Sequence, residues 1–217
     1  MTMTVVSQQE WDEASAAFRE REKEATRARD ALAAARRRLP AVEVDPGYRF
    51  VGPDGGATLA DLFDGRPQLV LYHHMLGPGD DDPCADCCLF TDNVGHLDHL
   101  RARDVTFALS SRAPIAEIEA FRAHMGWDVP WYEDVDGFRD AMRVPGFQLD
   151  VFLRDGDRVL RTYSTSGRGV EALGSTWTFL DLVPYGRQET WEDTPAGRPQ
   201  SAPYVWWRRH GQYGPAV

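Results

Sequence analysis

The stretch QLVLYHHMLGPGDDDPCADCCLF, residues 68–90, joins a short apolar segment to all three cysteines of the chain. Its first six residues are typical of a buried strand, because a short apolar run bounded by turn signals fits that element. Cys84 and Cys87 follow at the start of a segment with helical spacing that extends to about Arg101. The sequence therefore predicts a Cys-x-x-Cys pair where a strand leads into a helix.

Four further elements follow along the chain: VTFALS (105–110), APIAEIEAFRAHMG (113–126), LDVFLRDGDRVLRTYST (149–165) and GVEALGSTWTFLDLVP (169–184). The first is a buried strand, and the second is a helix with Pro114 in its first turn and Gly126 at its end. The third is a hairpin turning at Asp155-Gly156, and the last is a helix. A crossover makes the first two strands parallel, while the hairpin is antiparallel. This order predicts an α/β fold of the thioredoxin-like class, a mixed sheet with flanking helices, and it puts the cysteines at the active-site position of that fold.

Residues 8–39 are predicted to form one long helix that Pro40 ends. Its apolar residues recur at three- and four-residue steps and form a narrow stripe: Trp11, Ala14, Phe18, Ala25, Ala28, Leu32, Ala35 and Leu39. The stripe fits either an arm packed on the body or a helix that makes a homodimer. We therefore divide the chain into an N-terminal helical arm (1–45), a thioredoxin-like domain (46–184) and an irregular tail packed on that domain (185–217). Within the domain, 46–67 is loop-rich with a short helix capped by Thr58, and 127–147 carries no clear signal.

Composition restricts the function classes. The 217 residues are 42% hydrophobic and carry a net charge of −10, which favours a folded protein and disfavours binding to nucleic acid. No window approaches eighteen apolar residues, so we expect no membrane span. The N-terminus does not resemble a signal peptide, and three cysteines in such a chain favour reduced thiols. We therefore expect a cytoplasmic location.

The Cys-x-x-Cys spacing suits thiol–disulfide exchange. Cys84 would face the unpaired N–H groups and the positive end of the helix dipole, which favour a thiolate. Cys87, one turn along the same face, could attack the mixed disulfide and release the product. The aspartates at 80–82 and 86 disfavour a second anion and oppose this effect. We predict a disulfide or peroxide substrate and an external thiol reductant, with the peroxidase variant less favoured because Asp81 stands where peroxiredoxins have Thr.

Two other function classes stay open. Cys84, Cys87 and Cys88 together with His73 or His74 could bind copper or zinc, since thiolates and imidazoles suit both metals. Strand alternation sends the two histidines to opposite faces, so only one of them can line the cleft. His96 and His99 are interpreted as surface histidines. A non-catalytic interaction module that uses the arm and the aromatic tail is the other alternative.

Three residues outside the pair are further candidates for the site. Arg112 either reaches the cleft, where it would offset the aspartates, or lies in an exposed turn. Pro145 is a candidate for the cis proline that thioredoxin-like sites place opposite the dithiol. Cys88 points about 100° away from Cys87 on a helix, so we expect it to turn into the core as a small apolar group.

Beyond these patterns, the sequence resembles the bacterial domain-of-unknown-function family 899 over nearly its whole length. The resemblance is carried by six blocks: EKEATRARDALAAARRRLP, GGATLADLFDGRPQLVLYHHMLGP, CADCCLFTDN, SRAPIAEIEAFRAHMGW, FLRDGDRVLRTYSTSGRG and WWRRHGQYG. It implies a thioredoxin-like fold for about 46–184 and a predicted dithiol–disulfide oxidoreductase with Cys84 and Cys87 as its redox pair. The chain departs from the family pattern at Cys88, usually serine-like, and at His74, usually Phe. Both departures add metal ligands and favour the metal interpretation slightly.

Overall fold

A computed structural model describes residues 4–183, 187–192, 197 and 199–212. The sheet has eight strands: β1 Val42–Val44, β2 Arg49–Gly52, β3 Gly55–Thr58, β4 Gln68–His73, β5 Val105–Ser111, β6 Trp131–Asp134, β7 Gln148–Asp155 and β8 Arg158–Thr165. The helices are α1 Gln8–Arg36, α2 Ala85–Asp92, α3 Asp98–Arg101, α4 Ile115–Met125, α5 Phe138–Ala141, α6 Arg168–Glu171 and α7 Ser175–Leu180. Short 3-10 turns lie at Asp61–Phe63 and His210–Gln212.

The strand order is β1-β8-β7-β4-β5-β6-β2-β3, with β4 near the centre. β4 runs parallel to β5 and antiparallel to β7, so that Leu71 faces Ala108 on one side and Asp150 on the other. β7 and β8 form the hairpin predicted at Asp155-Gly156, and Gly156 has the positive φ of +62° that such a turn requires. The predicted thioredoxin-like mixed sheet with flanking helices is confirmed.

The apolar core is divided between the two faces of the sheet. Tyr72 belongs to one cluster, together with Cys87 and Trp131, and this cluster lies under α2 and α4. Leu69 and Leu71 belong to the other cluster. The division follows from strand alternation, because neighbouring residues of β4 point to opposite faces.

Two predicted helices are each broken into two. The first ends at Asp92 and resumes at Asp98, because Asn93 turns its side-chain amide back to the carbonyl of Leu89 at 2.7 Å. The Asn93 side-chain oxygen accepts the N–H of Thr176 at 2.8 Å, which joins this break to the start of α7. The last predicted helix is interrupted between α6 and α7.

Two segments hold structure that the sequence patterns left unassigned. Residues 46–67 contain the β2–β3 hairpin, which extends the sheet beyond β6 through the pairing of β2 with β6. The short helix expected there is a 3-10 turn, with the Thr58 hydroxyl accepting the N–H of Asp61 at 3.3 Å. Residues 127–147 contain β6 and α5. The carboxylate of Asp134 accepts the N–H groups of Phe138 and Arg139 at 2.9 and 2.8 Å, and this contact starts α5.

Helix α1 extends away from the sheet. A capping box begins it, with the Ser7 hydroxyl and Glu10 carboxylate each accepting the other residue's N–H. No residue of α1 is buried, so the interpretation in which its stripe packs on the body is wrong. Its last turn meets the sheet where the Arg36 guanidinium lies 4.5 Å from the centre of the Tyr163 ring. None of the described helices combines the length and the apolar character needed to cross a membrane.

Candidate active site at the Cys84–Cys87 pair

Cys84 is the N-cap residue of α2. Its sulfur accepts the N–H of Cys87 at 3.4 Å, and its carbonyl accepts the N–H of Cys88 at 3.1 Å. The side chain is partly exposed at the edge of a cleft of about 660 Å³, lined also by Asp82, Pro83, Ala85, Trp207, Arg208 and Gln212. A solute can therefore reach the sulfur that receives the N–H groups of the helix start.

Cys87 lies behind Cys84 and is completely buried. Its sulfur accepts the backbone N–H of Met75 at 3.4 Å, from the segment that follows β4. Tyr72 approaches from β4 itself, with its ring stacked on Phe90 at 4.2 Å between centroids. The two sulfur atoms thus differ in access although both belong to one turn of α2.

The electrostatic environment also separates the two thiols. Hydrogen bonds from the Cys87 thiol and backbone lower the pKa of Cys84 against the opposing effects of burial and of Asp86. Burial, followed by the neighbouring Cys84, raises the pKa of Cys87 well above its usual range. Cys84 therefore forms a thiolate more readily than Cys87, whose thiol holds its proton more tightly.

The acidic residues next to the cysteine pair differ in their contacts and in their effect on the pKa of Cys84. Asp82 pairs with Arg209 at 2.9 Å, and the Asp80 carboxylate accepts the N–H of Gly77 at 2.6 Å. Asp86 is half-buried, and this burial raises its pKa. Of these acids, Asp86 is the one that raises the pKa of Cys84.

The C-terminal tail reaches the start of α2, which the sequence patterns did not predict in detail. Arg209 donates to the carbonyl of Pro83 at 3.0 Å, next to Cys84 in the chain. His210 contacts the carboxylate of Asp92 at 2.9 Å. Trp207 is buried, with its ring centroid 5.1 Å from that of Trp177 on α7. These contacts make the tail one wall of the cleft.

His73 does not lie in the same site as the cysteines. It is fully buried on the opposite face of the sheet, with Nε2 3.0 Å from a carboxylate oxygen of Asp150 and Nδ1 3.1 Å from the Ser110 hydroxyl. Gln148 and Arg161 also donate to Asp150, so its buried charge is paired. A Ser-His-Asp set can act as a nucleophile only where substrate reaches it, and all three side chains are sealed from solvent. The set is a structural polar network.

His74 points to the same face as Tyr72 but lies below the cleft. It is fully buried among aromatic rings, with its own ring centroid 4.6 Å from that of Trp131. Neither ring nitrogen has a hydrogen-bond partner among the described residues. Burial and the nearby Arg139 lower the pKa of His74 to about 3, so the ring is neutral.

Arg139 is a residue of this region that the sequence patterns missed. Its guanidinium donates to the carbonyl of His74 at 3.3 Å and to the carbonyl of Gly146. It therefore ties the segment after β4 to the segment before β7. Arg112, which could have reached the cleft and offset the aspartates, instead is exposed and pairs with Asp140, as its alternative interpretation in an exposed turn expects.

The interpretation of Pro145 as a cis proline is wrong, because every peptide bond between described residues is trans. Pro145 is also exposed. The third cysteine, Cys88, turns into the core as expected, and burial raises its pKa to about 12. Within the described part of the chain, no three His, Cys, Asp or Glu side chains come together as a group that could hold a metal ion.

The mixed sheet, with a Cys-x-x-Cys pair at the start of the helix that follows β4, has the thioredoxin-like arrangement of elements. The chain belongs to the bacterial proteins of unknown function DUF899, since the model of that family matches residues 1–213. No curated protein matches the sequence.

Several solved structures are similar to this chain. One, assigned as the thiol:disulfide interchange protein DsbE of Chlorobium tepidum, has 16% identity and a TM-score of 0.44, and the match covers 62% of this chain and 93% of that one. Peroxiredoxin Q of Xanthomonas campestris has 17% identity and a TM-score of 0.43, with 62% and 96% covered. The exposed lipoprotein thioredoxin Etrx1 of Streptococcus pneumoniae strain TIGR4 has 12% identity and a TM-score of 0.41, with 60% and 99% covered.

Proposed function

We propose that this protein is a thiol–disulfide oxidoreductase in which Cys84 is the attacking thiol and Cys87 the resolving thiol. The observation that supports the proposal is the contrast between the two sulfur atoms. Cys84 is accessible and has a lowered pKa, whereas Cys87 is sealed behind it and has a raised pKa. Exchange needs one thiol that reacts first and a second that waits for the mixed disulfide.

The proposed reaction proceeds in two steps. The Cys84 thiolate attacks one sulfur of a substrate disulfide, which forms a Cys84–substrate disulfide and releases the other substrate sulfur as a thiolate. Cys87 then gives its proton to the released substrate thiolate, and its sulfur attacks the Cys84 sulfur, which breaks the Cys84–substrate bond, forms the Cys84–Cys87 disulfide and releases the second substrate thiolate. The substrate gains two electrons and the protein loses two, and an external thiol reductant restores the pair.

The surroundings of Cys87 suit the second step. The N–H of Met75 faces the Cys87 sulfur at 3.4 Å and would stabilise the negative charge that forms when its proton leaves. Since Cys87 is one turn along α2 from Cys84, its sulfur needs little displacement to reach the mixed disulfide. The cleft beside Cys84 would hold the substrate during both steps.

The experiment is turnover of a chromogenic aromatic disulfide with dithiothreitol as reductant. We expect Cys84→Ser to abolish turnover and Cys87→Ser to accumulate a covalent adduct of one substrate half on Cys84, visible by intact-protein mass spectrometry. Cys88→Ser is the matched control and should retain turnover, because Cys88 turns into the core. Retained turnover in Cys84→Ser, or loss of turnover in Cys88→Ser alone, would contradict the assignment.

Mass spectrometry of the untreated protein tests the resting chemistry separately. Mild oxidation should lower the mass by two hydrogens, and peptide mapping should place the new bond between Cys84 and Cys87. Elemental analysis of protein purified without chelator tests the rival class. If the unmodified protein contains stoichiometric copper or zinc and Cys87→Ser does not, the cysteines are metal ligands and the oxidoreductase proposal is wrong.

A further inference from the structure

Helix α1 carries a long apolar stripe that the described part of the chain leaves uncovered. The helix has 29 residues and is about 43 Å long, yet none of its residues is buried. Trp11, Phe18 and Leu32 are 57%, 55% and 60% exposed. Since most helical stability in proteins comes from packing of an apolar face, the uncovered stripe is a candidate surface for a partner.

The stripe has one edge of large residues and one edge of small residues. In a heptad repeat, the first edge holds Trp11, Phe18, Ala25, Leu32 and Leu39, and the second holds Ala14, Arg21, Ala28 and Ala35. Parallel pairing of two copies would stack large on large in one layer and alanine on alanine in the next. Antiparallel pairing instead sets the first edge against the second, so that Phe18 and Leu39 can each face an alanine.

The charges along α1 also favour an antiparallel arrangement. Residues 8–22 hold five acidic and two basic side chains, whereas residues 23–38 hold two acidic and six basic side chains. The helix is therefore negative in its first half and positive in its second half. Two parallel copies would bring like charges together, and two antiparallel copies bring each half against its opposite.

We propose that α1 pairs with the α1 helix of a second copy of this chain as an antiparallel two-helix coiled coil. In the register that best matches the charges, Phe18 faces the partner's Ala35, Ala25 faces the partner's Ala28, and the apolar stem of the partner's Arg21 lies against Leu32. Glu22 then lies beside the partner's Arg29, and symmetry forms this pair twice. The register one heptad away would place Glu22 against the partner's Glu22.

This arrangement leaves room for both domains. The body is attached at the C-terminal end of α1, where Arg36 covers the Tyr163 ring. Antiparallel pairing puts the two bodies at opposite ends of the helix pair, and the lining of the Cys84 cleft includes no residue of α1. The dimer proposal and the proposed thiol chemistry are therefore independent, and an experiment can contradict one of them without contradicting the other.

The first experiment measures the mass of the full chain in solution by sedimentation equilibrium under reducing conditions. We expect a particle of about twice 24.4 kDa for the unmodified protein. Phe18→Glu/Leu32→Glu should raise the dissociation constant more than about a hundredfold, because it places charges in the paired face. Ala16→Glu, on the opposite face of α1, is the matched control and should remain dimeric.

The second experiment tests the antiparallel register by charge exchange. Glu22→Arg and Arg29→Glu should each weaken the dimer about tenfold, and the double exchange should restore it, because the pair again has opposite charges. A monomeric unmodified protein, or a dimer that survives Phe18→Glu/Leu32→Glu, would overturn the proposal. A double exchange that weakens the dimer further would overturn the antiparallel register.

Discussion

The burial of His74 predicts a measurable link between pH and stability. In the folded protein its pKa is lowered to about 3, whereas the ordinary value for a solvated histidine is 6.5. Below pH 6.5, His74 therefore binds a proton in the unfolded chain but stays neutral in the folded chain. The contribution of His74 to the free energy of unfolding is therefore fully present above pH 6.5. It is lost as the pH falls from 6.5 towards 3, with a slope of about 1.4 kcal/mol per pH unit.

The perturbation is His74→Phe, which keeps a planar ring in the aromatic pocket beside Trp131 and removes the titration. At about pH 4.5, two units below the ordinary value, the His74 contribution amounts to about 3 kcal/mol of lost stability in the unmodified protein. The variant should not lose this amount. Its advantage over the unmodified protein should therefore be about 3 kcal/mol larger at pH 4.5 than at pH 7.5. Acidic groups and His73 titrate in both proteins, so the difference between them isolates His74.

The assay is urea unfolding followed by tryptophan fluorescence at both pH values, with the free energy of unfolding extrapolated to water. His96→Gln is the control for removal of a histidine, because His96 is exposed on the surface. Parallel stability–pH curves for His74→Phe and the unmodified protein would refute the reasoning. They would mean that the His74 ring accepts a proton in the folded state without penalty.

Two further predictions concern the buried network and the nucleophile. Asp150→Ala removes the acceptor shared by His73, Gln148 and Arg161, so it should lower the free energy of unfolding by about 3–5 kcal/mol in the same urea assay. A loss below about 1 kcal/mol would show that the network adds little. Asp86→Asn removes the charge that raises the pKa of Cys84, so the rate of alkylation by iodoacetamide should reach its half-maximum at lower pH. An unchanged or higher midpoint would contradict this account.

Much of the fold could be predicted because it rests on local signals. The apolar run of β4, the Pro114 and Gly126 boundaries of α4 and the Asp155-Gly156 turn are each encoded within a few residues. The helix start at Cys84 is equally local, since the contact of its sulfur with the N–H of Cys87 spans three positions. The expectation for Cys88 also held, because its direction follows from helical geometry alone.

The predictions that failed depended on distant contacts. Alternation correctly sent His73 and His74 to opposite faces, but it could not show that the rings around His74 would close over it. The helix expected across 84–101 ends beside Asn93, whose side-chain amide donates to the carbonyl of Leu89 and whose side-chain oxygen accepts the N–H of Thr176, more than eighty residues away. Arg139 belongs to no recognisable sequence motif. Its role depends on the folded structure, in which it links the segment after β4 to the segment before β7.

By itself, the sequence determined the long helix α1 with its apolar stripe, the order of β4, β5, α4, β7 and β8, and the placement of the dithiol at a helix start. These properties depend on periodicity and capping between residues that are neighbours in the chain. The tertiary structure alone decided that Cys87 is sealed while Cys84 opens into a cleft, and that Arg209 reaches Pro83 from 126 positions away. Burial and long-range pairing set the pKa values of the two thiols, and both arise only when the folded chain brings distant segments together and excludes water.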